Sequence, residues 1–173
     1  MSTLRELQKE GIVELLNRCW MTHDGMWFYH CLKNFGIEKA NELNKAAIKS
    51  LAPMEIDRIR KSLGMEKQIG NFQEFKGFFV AASHLFIPAF MNITISFPKE
   101  NTLHWEFEQP GNCFAYKGIK RIGAIDEYEC GVIYRLECWF DSLGIKYNVA
   151  PQVRRCLILD RGICQGNFDF DFR

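Results

Sequence analysis

The sequence predicts an α+β fold, with helices in the first half and, in the second, an antiparallel sheet on which one long helix packs. Two patterns support this. Up to about residue 90, apolar residues recur every three or four positions, as in amphipathic helices. After that, polar and apolar residues alternate, as in half-buried strands. No linker or repeat interrupts the 173 residues. We therefore expect a single domain, with a helical half at 1–90 and a sheet-rich half at 91–173.

Four helices are predicted in the first half. Ser2 and Thr3 followed by Glu6 form a capping pattern for the first helix. Gly36 is placed to end this helix, whereas Gly25 should weaken or kink it. The other three helices are predicted at 37–51, 53–63 and 72–84, with proline at the start of the third.

The second half is predicted to begin with a hairpin. Its strands are 92–97 and 102–108, and the turn between them contains Pro98. A helix at 126–143 follows, and Gly144 ends it. The last two strands are predicted at 155–159 and 167–172, joined by the turn at 160–162. Phenylalanine is unusually frequent, with 15 copies. We expect a core rich in phenylalanine, the alternative being a pocket lined in part by aromatic rings.

The composition excludes some classes of protein. The formal net charge is +1, from 22 basic and 21 acidic residues, and no long basic run occurs, so a nucleic-acid partner is not expected. The sequence shows neither a signal peptide nor about 18 consecutive apolar residues, so we expect a cytoplasmic protein without a membrane partner. The odd number of cysteines, seven, favours reduced thiols or metal ligands over a disulfide framework.

The first candidate site lies in the predicted first helix, where His23 and Asp24 stand between Trp20 and Trp27. Helical spacing places His23 on one face with both tryptophans. We expect a ligand pocket walled by the tryptophans, with His23 as general acid/base or hydrogen-bonding group. The alternative is a structural cluster whose polar groups satisfy the backbone at a kink near Gly25.

A strand of the predicted hairpin adds His104 and Trp105, which must point to opposite faces of the sheet because they are adjacent. We expect Trp105 to face the pocket. The ligand-binding set is therefore Trp20, His23, Trp27 and Trp105. If the protein is an enzyme, His23 and Asp24 are the catalytic candidates.

The second candidate site consists of Cys130, Cys156 and Cys164, spaced C-x25-C-x7-C. The predicted terminal hairpin would place the last two together, and Cys130 opens a helix whose N-terminus favours thiolate. Three thiolates suit a structural zinc ion, which takes four ligands. The alternative is that these cysteines are small buried apolar residues. The fourth ligand stays open among Glu127, Glu129, Asp160, Cys138 and water.

The chain from about Cys113 to Phe172 resembles small-molecule-binding domains of the 4-vinyl reductase type, and is similar to aminothiazoline-carboxylate hydrolase-like proteins. The resemblance rests on a cysteine, a glycine turn, a second cysteine and an F-x-F strand, which are Cys156, Gly162, Cys164 and Phe168-Asp-Phe170.

This resemblance implies a pocket for a small molecule, aromatic molecules included, and pairing of two copies. In zinc-binding members of this type, the residue pattern along the chain is Cys, Glu, Cys and Cys. The cysteine positions match Cys130, Cys156 and Cys164, whereas the glutamate position falls on Val153.

The stretch W-x-x-H-D-G-x-W-F at 20–28, followed by G-I-E-K-A-N-E-L-N at 36–44, resembles an uncharacterised prokaryotic family. The function we expect is a small-molecule-binding domain with a structural metal site. One alternative is a hydrolase or lyase that acts on a small C–N-containing substrate through His23 and Asp24. The other is a homodimeric interaction or assembly protein.

Overall fold

The computed structural model describes residues 8–65, 67–107 and 111–172. It confirms the predicted α+β class, with a long N-terminal helix and a four-stranded antiparallel sheet. None of the described helices combines the length and apolarity that a membrane span requires. The elements in chain order are α1 (Lys9–Ser62), α2 (Phe72–Phe86), β1 (Ile93–Ser96), β2 (Thr102–Phe107), α3 (Phe114–Arg121), α4 (Gly131–Ser142), β3 (Lys146–Ala150), α5 (Leu157–Arg161) and β4 (Gln165–Asp171).

Helix α1 is interrupted at Gly36, as predicted, but it continues through the two other predicted interruptions. Its backbone leaves helical geometry at Gly36, with φ of 80°, a conformation that glycine adopts at little cost. The predicted kink at Gly25 is absent. The predicted boundary before Pro53 is also wrong, because the helix continues through this proline to Ser62. The capping pattern predicted at residues 2–6 lies outside the described residues.

The sheet has the order β1-β2-β4-β3, and all its neighbouring strands are antiparallel. The predicted β1–β2 hairpin is confirmed, and so is the final strand. Trp105 on β2 lies opposite Gly166 on β4, and His104 lies opposite Asn167. The side chains of Trp105 and His104 point to opposite faces of the sheet, as predicted. Trp105 is fully buried and His104 is half-buried.

Between β2 and β4 the prediction fails in several places. The strand predicted at 155–159 is a single bridge at Arg155 followed by the short helix α5. The strand that pairs with β4 on the side away from β2 is instead β3, which ends at Ala150. The predicted helix at 126–143 is shorter and begins at Gly131, and the prediction missed helix α3 altogether.

The core is rich in phenylalanine, as expected. Phe75 and Phe79 of α2, Phe140 of α4, and Phe168 and Phe170 of β4 are all at most 6% exposed. Ring centroids of Phe140 lie 4.9 Å from Phe168 and 5.0 Å from Phe170, in edge-to-face geometry. These contacts hold α2 and α4 on one face of the sheet. α1 packs mainly on α4.

Candidate functional site

The tryptophan-rich stretch of α1 attaches this helix to the rest of the protein. Trp20, Asp24 and Phe28 are four residues apart and so lie along one face of the helix. The Phe28 ring is buried and meets Tyr128 edge to face, with centroids 5.6 Å apart. The guanidinium carbon of Arg135 lies 4.3 Å from the Trp20 ring centroid.

His23 and Trp27 of the same stretch point outward, because they lie on the other side of the helix. His23 is exposed and Trp27 is 64% exposed. Asp24 is also surface-accessible, but neighbouring atoms partly desolvate its carboxyl. This raises its pKa above the ordinary value, against the opposing effects of Arg135 and His23. The predicted catalytic pair therefore lies on a helix surface.

A buried ion pair lies beside this stretch. Two nitrogens of Arg135 on α4 donate to the Glu55 carboxylate, and Trp139 Nε1 donates to it over 2.8 Å. The Glu55 side chain is only 6% exposed. Desolvation lowers the pKa of Arg135, and the charges of Glu55 and Asp24 oppose this shift. The cluster links α1 to α4.

Trp105 lies apart from the three tryptophan-stretch residues predicted to share its pocket. Its ring is fully buried, with its centroid 4.9 Å from that of Phe168. It covers the backbone of Gly166 on the neighbouring strand. On the opposite face, His104 Nδ1 contacts Asn167 Oδ1 at 2.8 Å. The structure therefore does not bring Trp105 together with Trp20, His23 and Trp27 in one cavity.

Four cysteines from separate segments of the chain converge in the interior. Cys113, Cys130 and Cys156 occupy the N-cap positions of α3, α4 and α5. Cys164 precedes β4, and its carbonyl oxygen accepts a hydrogen bond from Phe107 N over 3.0 Å. All four are buried free thiols. The hairpin predicted to join Cys156 and Cys164 is wrong. The short helix α5, ended by Gly162 with φ of 78°, connects them instead.

The thiols of this cluster affect one another electrostatically. The pKa of Cys113 and of Cys164 is raised to about 12, mainly by desolvation and to a smaller extent by the other cluster thiols. Desolvation also raises the pKa of Cys130, with a smaller contribution from Cys156 in the same direction. The backbone N–H groups at the start of α4 lower the pKa of Cys130, but the predicted net preference for thiolate is wrong because burial outweighs them. Neutral thiols are poor nucleophiles at pH 7.

The donor set of this cluster suits a soft metal ion, since it contains four sulfur atoms. Within residues 8–65, 67–107 and 111–172, no three His, Cys, Asp or Glu side chains are arranged to hold a metal ion. The side chain of buried Trp105 faces Cys164 and lowers the pKa of that thiol.

A groove of about 410 Å³ lies between α1 and α3. Two cations, Lys33 and Arg121, stand in its lining, which contains no acidic side chain. Neither cation forms an ion pair within the part of the chain that the structure describes. The Lys33 ammonium lies 5.7 Å from the Tyr29 ring centroid. The remaining lining is apolar: Met26, Leu32 and Ile122.

Sequence reasoning missed three of these features. Glu55 interrupts the buried stripe of Ala52, Ile56 and Ile59, and an acidic residue in such a stripe indicates a paired charge. Cys113 directly follows the Pro110-Gly-Asn turn, in the position from which a helix begins. No local sequence pattern indicates the groove, because its cations Lys33 and Arg121 come together only through tertiary packing.

Comparison with known proteins assigns the chain to a family. No curated protein and no solved structure matches the sequence. A family model described as "Family of unknown function (DUF6125)" matches residues 4–94, which include all of α1 and α2 and the start of β1. Because the match spans more than half of the 173 residues, the chain belongs to this family of unknown function.

Proposed function

We propose that the protein is a small-molecule-binding domain that takes a small organic anion in the groove between α1 and α3. The observation that carries this proposal is the lining of the groove, which combines an apolar floor with Lys33 and Arg121. Apolar surface with a few placed polar groups is typical of small-molecule sites, and 410 Å³ lies within their usual range of about 300–1,000 Å³.

The groove favours an aromatic carboxylate among organic anions. The Tyr29 ring and the side chains of Met26 and Leu32 offer contact for a flat ring. Arg121 can donate two parallel hydrogen bonds to a carboxylate, and Lys33 adds a second positive charge. The resemblance of the region from about Cys113 to Phe172 to 4-vinyl reductase-type domains supports the same ligand class, and helix α3 lies in that region.

The proposal predicts charge-dependent binding of benzoate, measured by isothermal titration calorimetry. Arg121→Gln or Lys33→Gln should weaken binding about threefold to tenfold, because each removes one cation from a solvent-accessible site. Added salt should weaken binding as well, since it screens exposed charges.

The matched control is Lys120→Gln, which removes a cation of α3 outside the groove lining and should leave the affinity unchanged. Benzamide, which lacks the charge, should bind more weakly than benzoate. Equal affinities for benzoate and benzamide, or an equal loss in the Lys120 variant, would contradict the proposal.

We propose homodimerisation as a second candidate function, because α1 carries an exposed apolar face. Leu15 and Met26 are each 49% exposed, Leu16 is 63% exposed and Trp27 is 64% exposed. Leu15 and Met26 are 11 residues apart, and so are Leu16 and Trp27. Because 11 residues make about three helical turns, the four side chains form one stripe. A second copy could place the same stripe against it.

Trp27→Glu should therefore shift a dimer to a monomer in sedimentation velocity, because it places a charge within the apolar contact. Glu14→Gln, a change on another face of the same helix, serves as control. A wild-type protein that sediments as a monomer at high concentration rejects this candidate. No observation on the described residues favours the hydrolase or lyase alternative, so it remains a sequence-based prediction.

A further inference from the structure

The anion groove and the exposed apolar stripe of α1 share an edge at Met26. We propose that a second copy of the chain docks on the stripe and completes the groove, so that ligand binding and dimerisation promote each other; this rests on the proposed function. The groove of a single chain is open at this edge, because Met26 in its lining is 49% exposed and Lys33 is exposed as well.

The exposed stripe occupies one sector of the helix. At about 100° per residue, its side chains fall within about 120° of one another. They belong to Leu15, Leu16, Cys19, His23, Met26 and Trp27, all of which are exposed. The charged residues of the stretch from 15 to 27 are Arg18 and Asp24, and both fall outside this sector. A centre poor in charge is typical of a protein–protein interface.

The groove occupies the neighbouring sector of the same helix. Met26 lies within the stripe and Lys33 at its edge, whereas Tyr29 and Leu32 lie further round the helix toward α3. Met26 therefore belongs to both surfaces. A helix that docks on the stripe would lie along the open side of the groove and form a wall opposite α3.

The stripe is self-complementary, which identifies its occupant as a second copy. In an antiparallel pair of helices related by a two-fold axis, residues equally distant from the axis meet. With the axis at the level of Met21, the meeting pairs are Leu15 with Trp27, Leu16 with Met26, and Cys19 with His23. Leu16 of the partner subunit would then cover Met26 at the edge of the groove.

This arrangement couples two equilibria. A ligand in the completed groove contacts both chains, so it binds the dimer more tightly than the monomer. By thermodynamic linkage, the ligand must strengthen dimerisation by the same factor per site, which for such couplings is typically about 5-fold to 150-fold.

The coupling is tested by benzoate calorimetry and sedimentation velocity on the full-length protein. Trp27→Lys changes a stripe residue outside the groove lining, and its positive charge alone would attract benzoate. We expect this variant to be monomeric and to bind benzoate about fivefold more weakly than the wild type, or weaker still. Phe35→Lys is the matched control, because Phe35 is 65% exposed on the same helix but lies outside the stripe. It should remain dimeric and bind benzoate no more weakly than the wild type.

The antiparallel pairing is tested by disulfide formation between chains. Cys19→Ser provides the background, because Cys19 is the exposed cysteine. In this background, Leu15→Cys combined with Trp27→Cys should give a disulfide-linked dimer on mild oxidation. Either change alone should not, since the two copies of one position would lie about 18 Å apart along the helices, too far for a disulfide.

Several results would overturn the inference. They are a wild type that stays monomeric with and without benzoate, a Trp27→Lys variant that stays dimeric or binds benzoate as the wild type does, and a double-cysteine variant that forms no linked dimer. If no form of the protein binds benzoate, the proposed function fails together with this inference. Binding that is independent of dimerisation rejects only the inference and leaves the groove as the ligand site.

Discussion

Replacing Gly166 with alanine is expected to lower the free energy of unfolding by about 3 kcal/mol or more. A Cβ at this position would lie 2.6 Å from Ala150 O and closer still to the ring of Trp105. The Ala150 carbonyl belongs to the sheet backbone, and the Trp105 ring is fully buried against Phe168. Neither group can therefore move aside without a large energetic cost. Urea denaturation followed by circular dichroism measures the change.

Gly77→Ala is the matched control, since a Cβ there meets nothing within 4 Å. Gly77 lies inside α2, where alanine is favoured over glycine by about 1 kcal/mol. This variant should be as stable as the wild type or more so. If Gly166→Ala unfolded at the same urea concentration as the wild type, the packing of Trp105 on this strand would be incorrect.

Replacing Arg135 with alanine should lower the free energy of unfolding by about 3–5 kcal/mol. The change leaves the Glu55 carboxylate, 6% exposed, without its ionic partner. It also removes the guanidinium that lies over the Trp20 ring. Because this cluster links α1 to α4, we expect the loss to appear as weaker protection of α1 amides in hydrogen exchange as well.

Lys61→Ala serves as the control, because the pair of Lys61 with Asp57 is exposed and should contribute less than about 1 kcal/mol. A double variant, Glu55→Leu with Arg135→Met, should lose less stability than the two single changes together. The reason is that removing both charges leaves no unpaired carboxylate. Strict additivity would show that Arg135 and Glu55 do not act as a pair.

The sequence was sufficient to predict those elements whose pattern is set by local periodicity. The hairpin of β1 and β2 alternates in sequence, and Phe168 and Phe170 both face the core as their spacing requires. Helix α2 shows an equally clear pattern, with Asn71 Oδ1 accepting from Glu74 N at its start. In such segments local preference and tertiary packing favour the same structure.

The failures occur where tertiary contacts override local preference. Gly25 has low helix propensity, but the residues around it are held by Trp20 and Phe28 on the α4 side, so the helix continues. Residues 155–159 are apolar enough for a strand, but the sheet position beside β4 is taken by Lys146–Ala150. Short apolar runs do not distinguish a strand from a buried helical turn.

The candidate site was predicted only in part, for a similar reason. Cys130, Cys156 and Cys164 stand out by their spacing, whereas Cys113 joins them only because α3 packs against the same interior region. Trp105 was expected to line a pocket, yet glycine on the opposing strand leaves a space that its ring fills. Which residues meet across the fold is not encoded in local spacing.

The proposed function is tested most directly by mapping where benzoate binds, using amide chemical shifts in ¹⁵N-labelled protein during a titration. The account predicts saturable shifts concentrated at Tyr29, Lys33 and Arg121, in the groove between α1 and α3. A second groove, at Asp141–Tyr147, provides an internal comparison. Shifts concentrated in that second groove, or no saturable shifts at all, would contradict the proposed function.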